Sequence, residues 1–297
     1  MKIAVTIPAF NEEQTLGAVL QEIKKVMDEH KYDYFINIVN DGSTDKTAEI
    51  AKSFGAFVVS HPYNYGLAEA FKTEIKACLE KGADVIVHTD ADGQYPAEDI
   101  PKLIKEIENG NDLVLGSRFL GRIERMPFAK RLGNVLFSKA ISHITRVKIT
   151  DAQTGFRAFT KRVAKLDIIS NHTYTQEQTI RAIKNKYKLK EIPVDTKETR
   201  PSRLMKSHPF LQPFEYATKA WINIFRIYRD FEPLKFFGYI AGLFFVSGMV
   251  IGLILLYIFF TSGKIGHLPS VVLTMLLIIA GIQIILFGFL ADMNKKA

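Results

Sequence analysis

From Phe236 to Thr261, and again from Leu268 to Ala291, the chain carries no charged residue. Each run exceeds the roughly 20 apolar residues that cross a hydrocarbon core of about 30 Å. Apolarity on every side over such a length argues against a pair of buried core helices. The short connection between the runs holds one charge, Lys264, so the two read as a transmembrane helical hairpin. Flanking charge orients it. Between Lys197 and Lys235 there are eight Lys/Arg against four Asp/Glu, and Asn294-Lys295-Lys296 follows the second run. The positive-inside rule then predicts a multi-pass protein of a prokaryotic plasma membrane, or an equivalent one, with its N-terminal domain cytoplasmic. Two thin spanning helices offer little lateral packing, which makes a homo-oligomer plausible.

The 297 residues leave room for one large domain before the hairpin. A net charge of +8 suits an anionic membrane surface or phosphorylated ligands. Zinc-finger spacings and RNA-binding motifs are missing, so nucleic acid is not an expected partner. The single cysteine, Cys78, shares a helical face with Leu67, Phe71 and Ile75; it reads as a buried, inert thiol and excludes a disulfide framework.

Residues 1 to about 115 alternate strand and helix patterns. Ile3–Ile7, Tyr34–Val39, Ala56–Ser60, Val85–Thr89 and Leu113–Leu115 read as strands. A helix is expected to open at Asn11-Glu12-Glu13, with Leu16, Val19, Leu20, Ile23 and Met27 on one face, and Ser43-Thr44-Asp45 to cap a second. This predicts an α/β domain with a mostly parallel sheet, and ligands in such sheets bind beyond the carboxyl ends of the strands. Three polar clusters fall there: Pro8-Ala9-Phe10-Asn11-Glu12, Asn40-Asp41-Gly42-Ser43 and Asp90-Ala91-Asp92. Aspartates two apart face opposite sides of a regular strand, so Asp90 and Asp92 converge only if the chain turns, as Gly93 and Pro96 allow. Neither G-x-G-x-x-G nor G-x-x-x-x-G-K-[ST] occurs, which disfavours dehydrogenases and P-loop enzymes.

These clusters resemble the motifs of family 2 glycosyltransferases of the GT-A fold, in order and approximate spacing. The resemblance continues through Gly116-Ser117-Arg118-Phe119, Asp151-Ala152-Gln153-Thr154-Gly155-Phe156-Arg157 and Glu191-Ile192-Pro193-Val194. The set is similar to the polyprenyl-phosphate branch, which includes dolichol-phosphate mannose synthase and its bacterial glucosyl relatives, and it covers roughly residues 1 to 205. It implies a Rossmann-like nucleotide-sugar domain, a divalent cation (Mg²⁺ or Mn²⁺), a UDP- or GDP-linked donor and a polyprenyl monophosphate acceptor. Asp92, with Asp90 and Gln94, would hold the cation, while Pro8, Phe10, Glu12, Asp41 and Asp90 would serve the donor. Asn40 departs from the family, where a second aspartate is common.

Hard carboxylate oxygens and a cation suit a leaving nucleoside diphosphate, whose charge grows as the sugar departs. A lipid phosphate is already ionised, so it needs holding more than deprotonation, and guanidinium groups fork onto phosphate oxygens. The candidates are Arg118, Arg131, Arg157 and Arg200; the resemblance favours Arg118 and Arg131 and adds Ser138. Each is otherwise a solvated surface residue. Arg122, Arg125 and Lys130 are expected to be membrane-facing or solvated. Glu177 falls where relatives place an acid near the sugar, and reads either as a base or as an exposed first-turn helix glutamate.

Phe210, Phe214, Ala217, Trp221, Ile224, Phe225, Tyr228 and Phe231 recur at three- and four-residue steps, an amphipathic interface helix before the first span. The expected organisation is a GT-A domain over 1–205, a juxtamembrane segment over 206–234 and the hairpin over 235–297, with spans near 236–261 and 268–291. The activity the resemblance implies is inverting sugar transfer to a polyprenyl phosphate on the cytoplasmic face. Two rivals are the same donor chemistry with a lipid-linked oligosaccharide or other hydroxyl acceptor, and a non-catalytic scaffold with a nucleotide-binding fold.

Overall fold

A computed structural model describes residues 1–124, 126–169, 174–197, 212–264 and 267–294. They form two compact units, Met1–Thr218 and Lys219–Ala297. In the first, the order is β1 (Ile3–Ala9), α1 (Leu16–Glu29), β2 (Tyr34–Asn40), α2 (Thr47–Ser53), β3 (Phe57–Ser60), α3 (Leu67–Glu80) and β4 (Val85–His88). Then follow α4 (Ile100–Glu108), β5 (Leu113–Ser117), α5 (Phe128–Thr145), β6 (Arg157–Thr160), α6 (Lys161–Ala164), α7 (Tyr174–Lys184) and β7 (Leu189–Pro193).

The strands build one sheet in the order β3-β2-β1-β4-β6-β5-β7. Pairing is parallel except at β6, which runs antiparallel to both β4 and β5. The loops after β1, β2, β3, β4, β5 and β7 therefore share one edge with the segment that precedes β6. That segment holds Asp151 to Phe156, so the reversal brings a sixth motif to the edge where the others end. The strand β6 was not legible in sequence, because four residues opening with an arginine carry no readable alternation.

The expected α1 face is buried at Leu16, Leu20, Ile23 and Met27. The helix begins at Leu16 rather than near Asn11, for a local reason. Asn11 has a positive φ of 55°, and the amides of Glu12 and Glu13 bond Thr47 and Asp45 across the neighbouring loop. The left-handed backbone at Asn11 is incompatible with a right-handed helix there, so winding starts only after it. Cys78 is buried, as its helical face implies, and burial pushes its thiol up. Leu67, assigned to that face, is instead half exposed.

The segment before the hairpin forms α8 (Gln212–Phe231), where its periodicity predicts a helix. Phe210, and the side chains of Phe214, Ala217 and Trp221, lie outside the described residues. In the second unit α8 is followed by α9 (Pro233–Ser262) and α10 (Leu268–Met293), each opened by a proline in its first turn. Gly263, at φ 67°, ends α9 with its amide on the Phe259 carbonyl. The two helices pack antiparallel through small residues. A Cβ added at Gly248 would meet Ile278 at 2.9 Å, one at Gly281 the Ala241 carbonyl at 3.1 Å, and one at Gly288 Phe237 at 2.9 Å. Large apolar side chains such as Leu243, Leu253, Phe260 and Leu286 are exposed. At 1.5 Å per residue, both helices exceed about 35 Å and are long and apolar enough to cross a membrane.

Candidate active site

The loops after β1 and β2 are laced together. The Asn11 amide donates to Ser43 Oγ at 2.9 Å, and Asn11 Oδ1 accepts the Thr44 amide at 2.8 Å. Asn40 Oδ1 accepts the Ser43 amide at 3.1 Å while its Nδ2 donates to Ser60 Oγ at 3.2 Å. An amide thus serves as both acceptor and donor here, which a carboxylate could not do. Pro8 is half-buried at the strand end, Phe10 is exposed beyond it, and Glu12 accepts the Thr15 hydroxyl at 2.7 Å.

Asp41 is buried and fully engaged. Its Oδ1 accepts from His61 Nδ1 at 2.7 Å and from the Tyr65 amide at 2.8 Å, and its Oδ2 accepts the Gly66 amide at 2.9 Å. Its carboxylate therefore holds the fold of the 61–66 loop, a role the sequence did not reveal. That loop passes so close to Gly42 that an added Cβ would lie 2.3 Å from the Tyr63 carbonyl carbon. Gly42 also has a φ of 72°. Gly42→Ala is expected to displace the loop and cost about 1–3 kcal/mol, read as a lowered midpoint in thermal unfolding.

At the end of β4 the chain turns as Gly93 allows, with φ 74°, and Asp92 Oδ1 accepts the Gln94 amide at 2.9 Å. Asp90 and Asp92 are half-buried, and Gln94 lies on the same turn. Among the described residues no hydrogen bond reaches the Asp90 carboxylate. Burial and the charge of Asp92 push it up to about 6, while Arg118, Arg157 and Lys130 pull the other way. Two carboxylates on one turn, close enough for Asp92 to raise Asp90 and one of them without a described protein partner, are suited to positive charge. No described group of three or more His, Cys, Asp or Glu encloses a metal. Two carboxylates are nonetheless the donor set expected for a hard cation completed by water and phosphate oxygens, and the residues fit Mg²⁺ or Mn²⁺ on that ground.

Arg118 and Asp151 form a buried two-pronged ion pair. Nε meets Oδ2 at 2.7 Å, Nη2 meets Oδ1 at 2.9 Å, and the Arg118 amide adds a third bond at 3.2 Å. Asp151 is itself set by Glu191, which accepts the amides of Thr150 and Asp151 at 2.9–3.0 Å. Ser138 Oγ accepts the Ala152 amide at 3.0 Å. Ser138 thus holds the motif loop rather than standing free, and the Arg118 Nη1 donors have no partner among the described residues. Arg131 is exposed on α5.

Three residues depart from expectation. Arg157 has no exposed surface and gives its donors to the Thr154 and Thr175 carbonyls and to Gln178, with Nε unpartnered. It braces the loop from behind and cannot reach an acceptor phosphate. Burial holds it down at about 10. Lys130, expected to be membrane-facing or solvated, is half-buried; burial and Arg118 lower its pKa against Asp92, Asp90 and Asp151, so it lies within electrostatic reach of those acids. Of the two readings of Glu177 the exposed one falls: it is buried, accepts the Ile169 amide at 3.1 Å and pairs with Arg181 at 2.8 Å. Arg125 and Arg200 lie outside the described residues.

The family profile described as glycosyl transferase family 2 matches residues 4–166. Over 199 residues the chain is 34% identical to a dolichyl-phosphate hexose transferase of Haloferax volcanii, covering 66% of this chain and 83% of the relative. It is 33% identical over 220 residues to a UDP-N-acetylglucosamine–dolichyl-phosphate N-acetylglucosaminyltransferase of Methanococcus voltae, covering 65% and 85%. Among solved structures, glucosyl-3-phosphoglycerate synthase of Mycobacterium tuberculosis, in complex with Mn²⁺ and UDP-glucose, aligns with a TM-score of 0.58. Its identity is 20%, over 76% of this chain and 78% of that one, a likeness of fold.

Proposed function

The chain belongs to glycosyl transferase family 2 and is a glycosyltransferase, and from that premise we propose that it moves a sugar from a UDP- or GDP-linked donor to a polyprenyl (dolichyl or undecaprenyl) monophosphate. The catalytic domain would span 1–205 and stand on the cytoplasmic face, joined through 206–234 to a membrane hairpin over 235–297. The observation that carries this reading is that Asp90, at the end of β4, lies within electrostatic reach of Arg118, at the end of β5, and both Asp90 and Asp92 within reach of Lys130 on α5. Negative groups suited to a cation meet positive groups suited to a phosphate. The names of the two archaeal relatives support the same acceptor class.

Asp90 and Asp92, with Gln94, would hold Mg²⁺ or Mn²⁺, which when bound neutralises charge on the departing nucleoside diphosphate. Asp41 holds the 61–66 loop beside the donor, with Pro8, Phe10 and Glu12 on the adjoining strand end. Arg118, fixed by Asp151, offers its remaining donors to the acceptor phosphate, and Lys130 and Arg131 add charge there. An ionised phosphate oxygen held in line with the anomeric carbon attacks without a strong base and inverts configuration. A hydroxyl acceptor would require such a base, and Glu177, engaged by Ile169 and Arg181, is poorly suited to that task.

The acceptor's tail needs an apolar approach. On α5, Phe128, Leu132 and Leu136 are spaced by four and exposed at 79%, 47% and 46%. Between Glu124 and Asp151 the chain has six Lys/Arg and no acid, so this exposed stripe suits an anionic bilayer surface. Leu132→Glu is expected to raise KM for a long-chain polyprenyl phosphate about ten-fold, the worth of one buried leucine, and to leave KM for the nucleotide sugar unchanged.

The deciding experiment supplies the full-length protein in detergent with polyprenyl phosphate, Mg²⁺ or Mn²⁺ and a panel of radiolabelled UDP- and GDP-sugars. A charged, mild-acid-labile glycolipid from one donor establishes the reaction and identifies the sugar. Nucleotide binding with no labelled lipid phosphate from any donor would instead transfer the assignment to a hydroxyl acceptor.

A further inference from the structure

Two ionisable side chains that the proposed chemistry does not use are sealed beneath the site. Glu74, on α3, and His88, the last residue of β4, have no exposed surface. His88 Nε2 lies 3.3 Å from Glu74 Oε2, and its Nδ1 lies 2.9 Å from the Gly155 carbonyl oxygen. A carbonyl only accepts, so Nδ1 carries the proton and, in the neutral ring, Nε2 presents a lone pair to Glu74. No hydrogen bond closes the gap to Glu74: among the described residues both Glu74 oxygens and His88 Nε2 are without a hydrogen-bond partner. Burial, with the charge of Asp90, holds Glu74 well above the usual carboxylate range. The rings of Phe71 and Tyr174, with centroids 5.1 and 6.4 Å from that of His88, close off the imidazole's flanks.

What this pair holds lies next to the candidate cation ligand. A Cβ built on Gly155 would sit 3.0 and 3.2 Å from the two oxygens of Asp90, so the Gly155 backbone is the surface against which that carboxylate rests. The rest of the loop has its own anchors: Glu191 at Thr150 and Asp151, Ser138 at Ala152, and Arg157 at Thr154. Only the Gly155 end depends on His88. Apolar side chains of similar volume would fill the space at lower desolvation cost than a buried Glu and His, so packing alone does not account for the pair.

We infer that Glu74 and His88 are positioning residues: Glu74 orients the imidazole, His88 fixes the Gly155 carbonyl, and Gly155 sets the Asp90 carboxylate for the cation and nucleoside diphosphate. The inference rests on the proposed role of Asp90 and Asp92. It requires a selective defect, since the Arg118–Asp151 side of the loop keeps its anchors.

The test is Mn²⁺ binding in the presence of UDP or GDP, read from the electron paramagnetic resonance signal of free Mn²⁺, with full-length protein in detergent. Glu74→Leu and His88→Leu are expected to bind Mn²⁺–nucleotide roughly ten-fold more weakly, with KM for polyprenyl phosphate unchanged. Glu74→Gln and His88→Asn should restore most of the affinity, because an amide N–H can donate to Nε2 in the first and to the Gly155 carbonyl in the second. Folded leucine variants that bind like wild type would overturn the inference. If the leucine variants do not fold, His88→Asn against His88→Asp decides it: the two match in size and only asparagine offers the N–H, so equal affinities overturn it too. A wild type that binds Mn²⁺ with neither nucleotide would refute the reading of Asp90 and Asp92 themselves, and this inference with it.

Discussion

Asp151→Ala is expected to remove about 3–5 kcal/mol of stability, the usual consequence of leaving one member of a buried ion pair alone. Arg118 would keep its charge in a site where it is 6% exposed while losing both side-chain bonds and the carboxylate on its amide. For a unit of this size the loss corresponds to a fall of about 10 °C in melting temperature. Sugar transfer should vanish as well, because the guanidinium would no longer be aimed. The double variant Arg118→Met/Asp151→Leu separates the two effects. Without a stranded charge it should recover most of the melting temperature and none of the activity. Recovery of both would mean that Arg118 is structural only.

Asp92→Ala should behave in the opposite way. The loss of one of two carboxylates suited to the cation removes several kcal/mol of leaving-group stabilisation, so turnover is expected to fall by about 10³ or more. Stability should hold or rise slightly. Asp92 raises the cost of ionising Asp90, and its one described bond to the protein, from the Gln94 amide, lies within a turn that Gly93 already favours. An unfolding midpoint at or above wild type, with transfer lost, is the expected pair of results. Retained transfer would exclude Asp92 from the chemistry. A midpoint that fell with activity would make it a structural residue.

The contrast follows from how each carboxylate is used. Asp151 spends both oxygens on Arg118, whereas Asp90 and Asp92 at the end of β4 repel one another's charge. A fold keeps such a repulsive arrangement only where something else compensates it, here a neighbouring cluster of positive groups and, in the proposed reaction, a divalent cation.

Much of this was legible in the sequence because it depends on near neighbours. The spans could be read from composition, since a helix without charge for more than 20 residues has few places to go. The α1 face followed from period, and the polar clusters fell at strand ends because strands stop where apolar alternation stops. Long-range pairing was not legible. Arg118 and Asp151 are 33 residues apart and Glu191 is 40 beyond Asp151. A local pattern assigns each to a polar surface and names no partner. Arg157 and Lys130 were misread for the same reason, one buried by the reversed strand β6 and the other drawn among the acids.

By itself, then, the sequence determined the fold class, the two apolar helices and the acidic turn at Asp90 and Asp92, all properties of side-chain polarity over a few consecutive residues. Only the tertiary structure decided which charges face one another. Sheet order and the antiparallel insertion of β6 bring the Asp151–Phe156 loop against Asp90, and Coulomb energy depends on that separation in space and on burial, neither of which a linear pattern records.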